Sequence, residues 1–441
     1  MEQVARVSVS TYQLLLYNLF LVIGYIFLVR KYHGSWTKVM VITLFFSGIV
    51  SDLAGSIGIS VFRVFILLWA LLLFSRTKKN LFYREFRLPI FCFLIYLIYT
   101  AGVSYLIHND NVLLIFSQLS RVVVPFLVFA VIYSEIAEDQ SQLDEFHDLF
   151  GFILAFFIIS AVVKLVVLGG FLEGWVGGLG LTGGGAGTSL PLLGLFWLSL
   201  ESGMENKKPK YIFLVLGFLL IGFATGKRAV WLLYPILYFI LAAYTYRRNV
   251  SNLIIVSIIL VPTFIYLGVR LTPSLNPDKK VWGKFDIEYT LNYSLVYSTG
   301  YDNESMAVQE VDKGRVGAIV WLYEKIVDAD KMAFFGKGYE YFIYAGKDNY
   351  YNSDYYMGIL HRGSVTGIVG TFFVSGIFGV VLYILFLASL LLKYRNRLSY
   401  VLFVFVMIDY IFYNARMTAS QALFLLTMFI LLCSTYVFKD K

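Results

Sequence analysis

The sequence predicts an all-α polytopic membrane protein of about 13 transmembrane helices with one large outer loop, and three observations carry that prediction. Of the 441 residues, 59% are hydrophobic and 15% charged, against about 25% charged in a soluble domain. The apolar residues gather into runs long enough to cross a bilayer. Lys and Arg concentrate in alternate loops, which the positive-inside bias assigns to the cytoplasm.

Taken in order, spans are expected near 11–29, 39–54, 57–75, 88–107, 113–133, 149–168, 186–200, 211–224, 229–246, 250–269, 364–392, 398–413 and 418–437. A crossing helix needs about 20 residues. The first run, Tyr12 to Val29, is long enough, and no small-residue cleavage site follows it, so it reads as a retained span. The segment 39–75 is too long for one crossing. Asp52 and Gly55 mark the expected turn of a two-helix hairpin.

The loops RKYHGSWTK (30–38), SRTKKNLFYREFR (75–87), ESGMENKKPK (201–210), YRRN (246–249), KYRNR (393–397) and the final KDK all fall on one face, leaving the N-terminus on the other. The acidic loop SEIAEDQSQLDEFHD (134–148) lands on the basic face too, where acidic residues weigh little in the rule. LGGFLEGWVGGLGLTGGGAG (168–187) is so rich in glycine that it reads as a mobile outer loop. The chain thus divides into N-terminal spans (1–269), a large outer loop (270–363) and C-terminal spans (364–441). That loop opens with a Pro-punctuated stretch, LTPSLNPDKK (271–280). In RVGAIVWLYEKIVDAD (315–330), Val316, Ile319, Val320, Tyr323, Ile326 and Val327 recur at helical spacing. They predict an amphipathic helix lying on the membrane domain.

Several function classes are excluded or weakened. A formal charge of +8 is modest for this length and gives no reason to invoke nucleic acid. Cys92 and Cys433 lie in separate apolar runs and make neither a disulfide framework nor a zinc site. Gly178-x-Gly180-x-x-Gly183 matches a dinucleotide fingerprint only on paper, because no strand precedes it, and GGGAGTS (183–189) lacks the Lys of a phosphate-binding loop. Glycines 363, 367, 370, 376 and 379 read first as small-residue faces for close helix packing, with room for a lipid chain as the alternative. Twelve of the 33 tyrosines crowd between 285 and 357, where an interfacial belt and glycan-facing platforms are equally suited to amphipathic rings.

A second set of basic residues sits at or inside the outer ends of the spans: Arg63, Arg121, Lys227, Arg228, Arg270, Arg315, Arg362 and Arg416. Insertion disfavours cations there, and an ionisable group inside a span is functional by default. Arg121 lies about eight residues into its span, roughly 12 Å below the outer end at 1.5 Å per residue. Arg63 is shallower and within snorkelling reach. Lys227 and Arg228 share the short turn ATGKRAVW (224–231). Guanidinium groups grip phosphate bidentately and Lys adds a point charge, so these cations suit a polyprenyl-linked diphosphate, an anion held at this depth. His361 stands where the large loop re-enters the membrane beside Arg362, at a helix N-terminus. An imidazole there is a candidate general base, with a loop carboxylate such as Glu304 or Asp354 as the alternative. No residue cluster has metal-ligand spacing, and no cofactor is expected.

These residues resemble those of the bacterial O-antigen ligase and Wzy-type O-antigen polymerase superfamily. The similar parts are the basic TGKRAVW turn between mid-chain spans, the large outer loop, and an Arg-led helix with an inner Trp (Arg315, Trp321). FFGKGYEYF (334–342) is similar to the family's "plfGiG" stretch, and HRGSVTGIVGTFFVSGIFGVVLYI (361–384) to its "Hn…G..G" approach to the next span. The likeness covers about 211–392. It departs at Lys227, Ala229 and Arg362, where the family often has Ser, Gly and Asn.

The resemblance implies a GT-C-like, membrane-embedded glycosyltransferase of the bacterial inner membrane, using undecaprenyl-diphosphate-linked glycans at a periplasmic site. It carries diphosphate and catalytic roles onto Arg228, Arg315 and His361. The expected function is polymerisation of lipid-linked repeat units, with a chain-length regulator as a possible partner. Transfer to lipid A–core by a ligase is the alternative. A flippase is the rival of another class, weakened because no internal repeat is seen and the buried cations favour the outer half.

Overall fold

The computed structural model describes residues 10–77, 79–168, 177–179, 186–204, 209–226, 228–246, 250–272, 275–299, 331–340, 366–412 and 420–437, with isolated positions between 319 and 327. Among the described residues every regular element is helical and there is no strand. The elements are α1 (Thr11–Lys31), α2 (Trp36–Phe45), α3 (Ser47–Arg76), α4 (Lys79–Glu85), α5 (Arg87–Gly102), α6 (Val112–Glu138), α7 (Ser141–Leu168), α8 (Ala186–Met204), α9 (Pro209–Ala224), α10 (Arg228–Tyr246), α11 (Val250–Leu271), α12 (Ile287–Thr299), α13 (Lys331–Phe335), α14 (Gly367–Leu391), α15 (Arg397–Phe412) and α16 (Gln421–Val437). Five described helical stretches are long and apolar enough to cross a membrane: Thr11–Lys31, Arg87–Ile107, Val112–Glu138, Ser141–Leu168 and Gly367–Leu391.

Two boundaries differ from the expectation. Asp52 and Gly55 do not form a turn; both lie inside α3, and the break falls at Phe46. In an apolar bundle each backbone amide must be satisfied within its own helix, which overrides the weak helix preference of Gly and Asp. Phe46 ends α2 with φ −104° and ψ 13°, its ring packed against Tyr25 and Phe156 at 5.6 and 5.4 Å. The acidic stretch 134–148 is not a loop either. The helix α6 runs on to Glu138 and α7 starts at Ser141, leaving a two-residue link.

Burial follows the apolar pattern. Along α16, every residue from Leu423 to Leu431 except the polar Thr427 belongs to the buried apolar core, as expected of a helix hydrophobic all round. Helices α1, α5 and α7 instead expose Leu19, Phe27, Phe91, Ile98 and Val166 outward. An exposed apolar surface of that extent suits contact with lipid.

One end of the bundle collects the basic loops. Lys38, 3% exposed, is paired with Glu145 and donates to Gln142 Oε1 at 3.1 Å, while the Thr37 hydroxyl donates to Glu135. Lys393 Nζ bridges to Glu85 at 2.9 Å. Burial and the nearby Asp148 and Glu145 push the Tyr32 phenol up to about 12. These contacts tie 30–38 to 134–148 and 75–87 to 393–397. Each pairing joins segments that the charge pattern assigns to the same face.

Candidate anion site at the opposite end

The other end is built around the turn joining α5 to α6. Helix α5 loosens into a π-helical turn at Val103–Ile107, and Asn111 then caps α6, its side chain accepting from the Leu113 amide at 2.9 Å. Between them lies Asp110, 4% exposed. The FFGKGYE stretch docks onto this turn. The Tyr99 hydroxyl donates to the Phe334 carbonyl at 2.9 Å, the Tyr339 amide donates to the Asp110 carboxylate, and the Asn111 amide donates to Glu340 Oε2 at 3.2 Å.

The same stretch holds α14 open. Gly376 has φ +67° and ψ −168° inside that helix, and a Cβ there would overlap the Phe334 carbonyl. The break frees the Phe373 carbonyl, which accepts from the Lys337 amide at 2.7 Å. Gly336 and Gly338, at φ +69° and +82°, make the tight path between these contacts. Gly376 is therefore a break that admits another segment rather than part of a helix-packing face. A discontinuous helix at membrane depth is tolerated only where other protein groups satisfy its backbone.

Two of the expected site residues meet beside this junction. Arg63 on α3 is half-buried, donates to the Ser117 carbonyl at 3.4 Å, and lies within electrostatic range of Arg121 on α6. Arg121 is exposed on α6, and Tyr339 lies close enough to interact with its charge. Among the described residues no carboxylate pairs with either guanidinium. The Tyr339 and Tyr96 hydroxyls are hydrogen-bonded. The Tyr96 ring lies tilted against Tyr383 at 4.9 Å and Tyr383 against Tyr410 at 5.2 Å, extending a band of phenols into the bundle. Two guanidinium groups near phenols, with no carboxylate paired to either among the described residues, have the chemistry to attract an anion.

Arg228 is the first residue of α10, following Gly226 at φ +63°, which ends α9. Its side chain, together with Lys227, Arg315, His361, Arg362 and Arg416, lies outside the described residues, as do the alternative bases Glu304 and Asp354. Arg270 is engaged by the chain itself. It donates to the Gly283 carbonyl at 3.0 Å and to the Tyr266 hydroxyl at 2.8 Å, and stacks on Trp282. It staples a loop knotted around the buried Asn276. The helical positions near 322 pack on α14 through Ile319 and Leu322, leaving Tyr323 and Val327 exposed. The apolar stripe of that segment is thus split between the protein and its surroundings.

Sequence reasoning missed two features. Lys164 is a fully buried cation near the outer end of α7. Its signal was present, a single charge in the run AVVKLVV. The Asp110–Tyr339 junction had none, because it joins residues far apart in the chain. Comparison of the chain with known protein families, characterised proteins and solved structures returns no match.

Proposed function

We propose that this protein is a membrane-embedded polysaccharide polymerase of the O-antigen type, GT-C-like with about 13 spans, working at the periplasmic face of a bacterial inner membrane. The observation that carries this reading is the pair Arg63 and Arg121, within electrostatic range of each other, with no carboxylate paired to either among the described residues and with tyrosine rings close by. A polyprenyl diphosphate supplies the missing negative charge at that depth, with its tail in lipid and its glycan among the phenols. Lys227, Arg228, Arg315 and Arg362 complete the cationic set that the family resemblance suggests.

In this mechanism a hydroxyl at the non-reducing end of one lipid-linked repeat gives its proton to His361 as general base. The freed oxygen attacks the anomeric carbon of the second, diphosphate-linked glycan. The bond from that carbon to the diphosphate oxygen breaks, and the departing charge is held by the arginines. A chain-length regulator is the natural partner of such an enzyme.

Purified protein incubated with undecaprenyl-diphosphate-linked oligosaccharide tests the proposal. Longer lipid-linked chains are the expected product. Transfer only to lipid A–core would make the protein a ligase, and translocation without bond formation a flippase.

A further inference from the structure

Resting on that reading of the Arg63–Arg121 pair, we propose that Tyr339 is a third ligand-contacting residue of the anion site. Its phenol donates a hydrogen bond to a phosphate oxygen of a diphosphate. Asp110 is the positioning residue that sets it there.

The argument begins at the backbone. Residues 336–340 carry two left-handed glycines, a shape that needs external support. Asp110 provides it: buried at 4% exposure, it accepts the Tyr339 amide, and a Cβ on Gly338 would crowd its carboxylate. A buried carboxylate accepting a backbone amide fixes that amide firmly, because a charge-assisted hydrogen bond is about twice as strong as a neutral one. The amide in turn fixes the direction of the Tyr339 side chain. Its hydroxyl ends beside Tyr96 and within electrostatic reach of Arg121. A phenol so placed offers a neutral donor next to a cation. A diphosphate, with more acceptor oxygens than two guanidinium groups saturate, uses one. Tyr96 keeps the phenol oriented while the site is empty. The reach of this idea beyond the arginines is specific: the loop segment, and not only the spans, contributes to anion binding.

The test uses the full-length protein in nanodiscs, with inorganic pyrophosphate as the probe and calorimetry as the readout. Wild type is expected to bind, Arg121→Gln to lose binding, and Tyr339→Phe to bind about tenfold more weakly with an unchanged melting temperature, the loss expected of one hydrogen bond to a charged group. Asp110→Asn keeps an acceptor oxygen for the Tyr339 amide but loses the charge, and should bind between wild type and Asp110→Ala. Asp110→Ala should match Tyr339→Phe, and the double variant Asp110→Ala/Tyr339→Phe should lose no more than either alone. Wild-type affinity in Tyr339→Phe overturns the proposal while leaving the arginine site standing. Additive losses in the double variant overturn the positioning role of Asp110. Absence of pyrophosphate binding by wild type overturns the anion site itself, and with it the functional reading on which this proposal rests.

Discussion

Gly376 shows how one residue decides the architecture of the site. Its left-handed backbone lies where α14 breaks and the Phe334 carbonyl enters. Gly376→Ala should therefore cost about 2–4 kcal/mol, from backbone strain and overpacking together. Thermal unfolding in detergent checks it, and an unshifted midpoint would mean that the break is not required. The sequence showed this glycine only as one of five near the start of a span. Spacing alone does not distinguish a packing face from a break, since the segment that fills the break lies about forty residues away in the chain. Arg121, in contrast, was legible as a single residue, because a cation that deep in an apolar run is costly wherever it points. At the basic end, Asp139 accepts from Ser141 and Gln142, and these hydrogen bonds hold its carboxyl below the usual carboxylate range. Its folded value is the depressed one, so its contribution is present above the ordinary carboxylate range and fades as pH falls through the folded value. Asp139→Ala should lower the melting midpoint at neutral pH, and the gap to wild type should close in acid.

Among the elements, the junction of α2 with α6 and α7 makes the clearest energetic prediction. Lys38 is buried while its partner Glu145 is about half exposed. Removing Glu145 takes away the ion-pair partner of a buried ammonium, leaving Gln142 and the Phe146 ring against it, whereas Lys38→Met removes the buried charge and leaves a carboxylate that water can reach. Glu145→Ala should thus destabilise more than Lys38→Met, by about 1–3 kcal/mol after allowing for screening at the exposed partner. The reverse order, read from unfolding midpoints, would contradict the pairing. Hydrophobic runs located most helices closely, because a membrane span announces itself by length and apolarity. They misplaced the boundary inside 39–75 and missed that α6 and α7 extend through 134–148 to a two-residue link. In both places the local preference of Asp, Gly and Glu pointed one way and the demand for satisfied backbone amides pointed the other. The Phe46 break is set by packing on Tyr25 and Phe156, which lie on other helices.

For the whole molecule, the charge pattern was the most legible property. The ion pairs Lys38–Glu145 and Lys393–Glu85 each join distant segments that the charge pattern assigns to one face, and Arg63 reaches the opposite end of α6 at Ser117. In a background lacking Cys92 and Cys433, Arg395→Cys and Asp278→Cys should label from opposite sides of an intact membrane, with position 395 cytoplasmic. Labelling of both from one side would refute the two-ended arrangement. The candidate site itself was only partly legible. Two arginines could be named from their place in the spans, but the loop segment beside them depends on Asp110 and Gly376, whose roles exist only once the chain is folded. The central claim is that these cations hold the leaving diphosphate. The most direct measurement is chain extension of undecaprenyl-diphosphate-linked oligosaccharide by purified wild type, Arg121→Gln and Arg395→Ala. Extension by wild type and Arg395→Ala, with a loss of at least about a hundredfold in Arg121→Gln, is the predicted result, the scale seen when a single transition-state charge contact is removed. Equal rates in all three would contradict it.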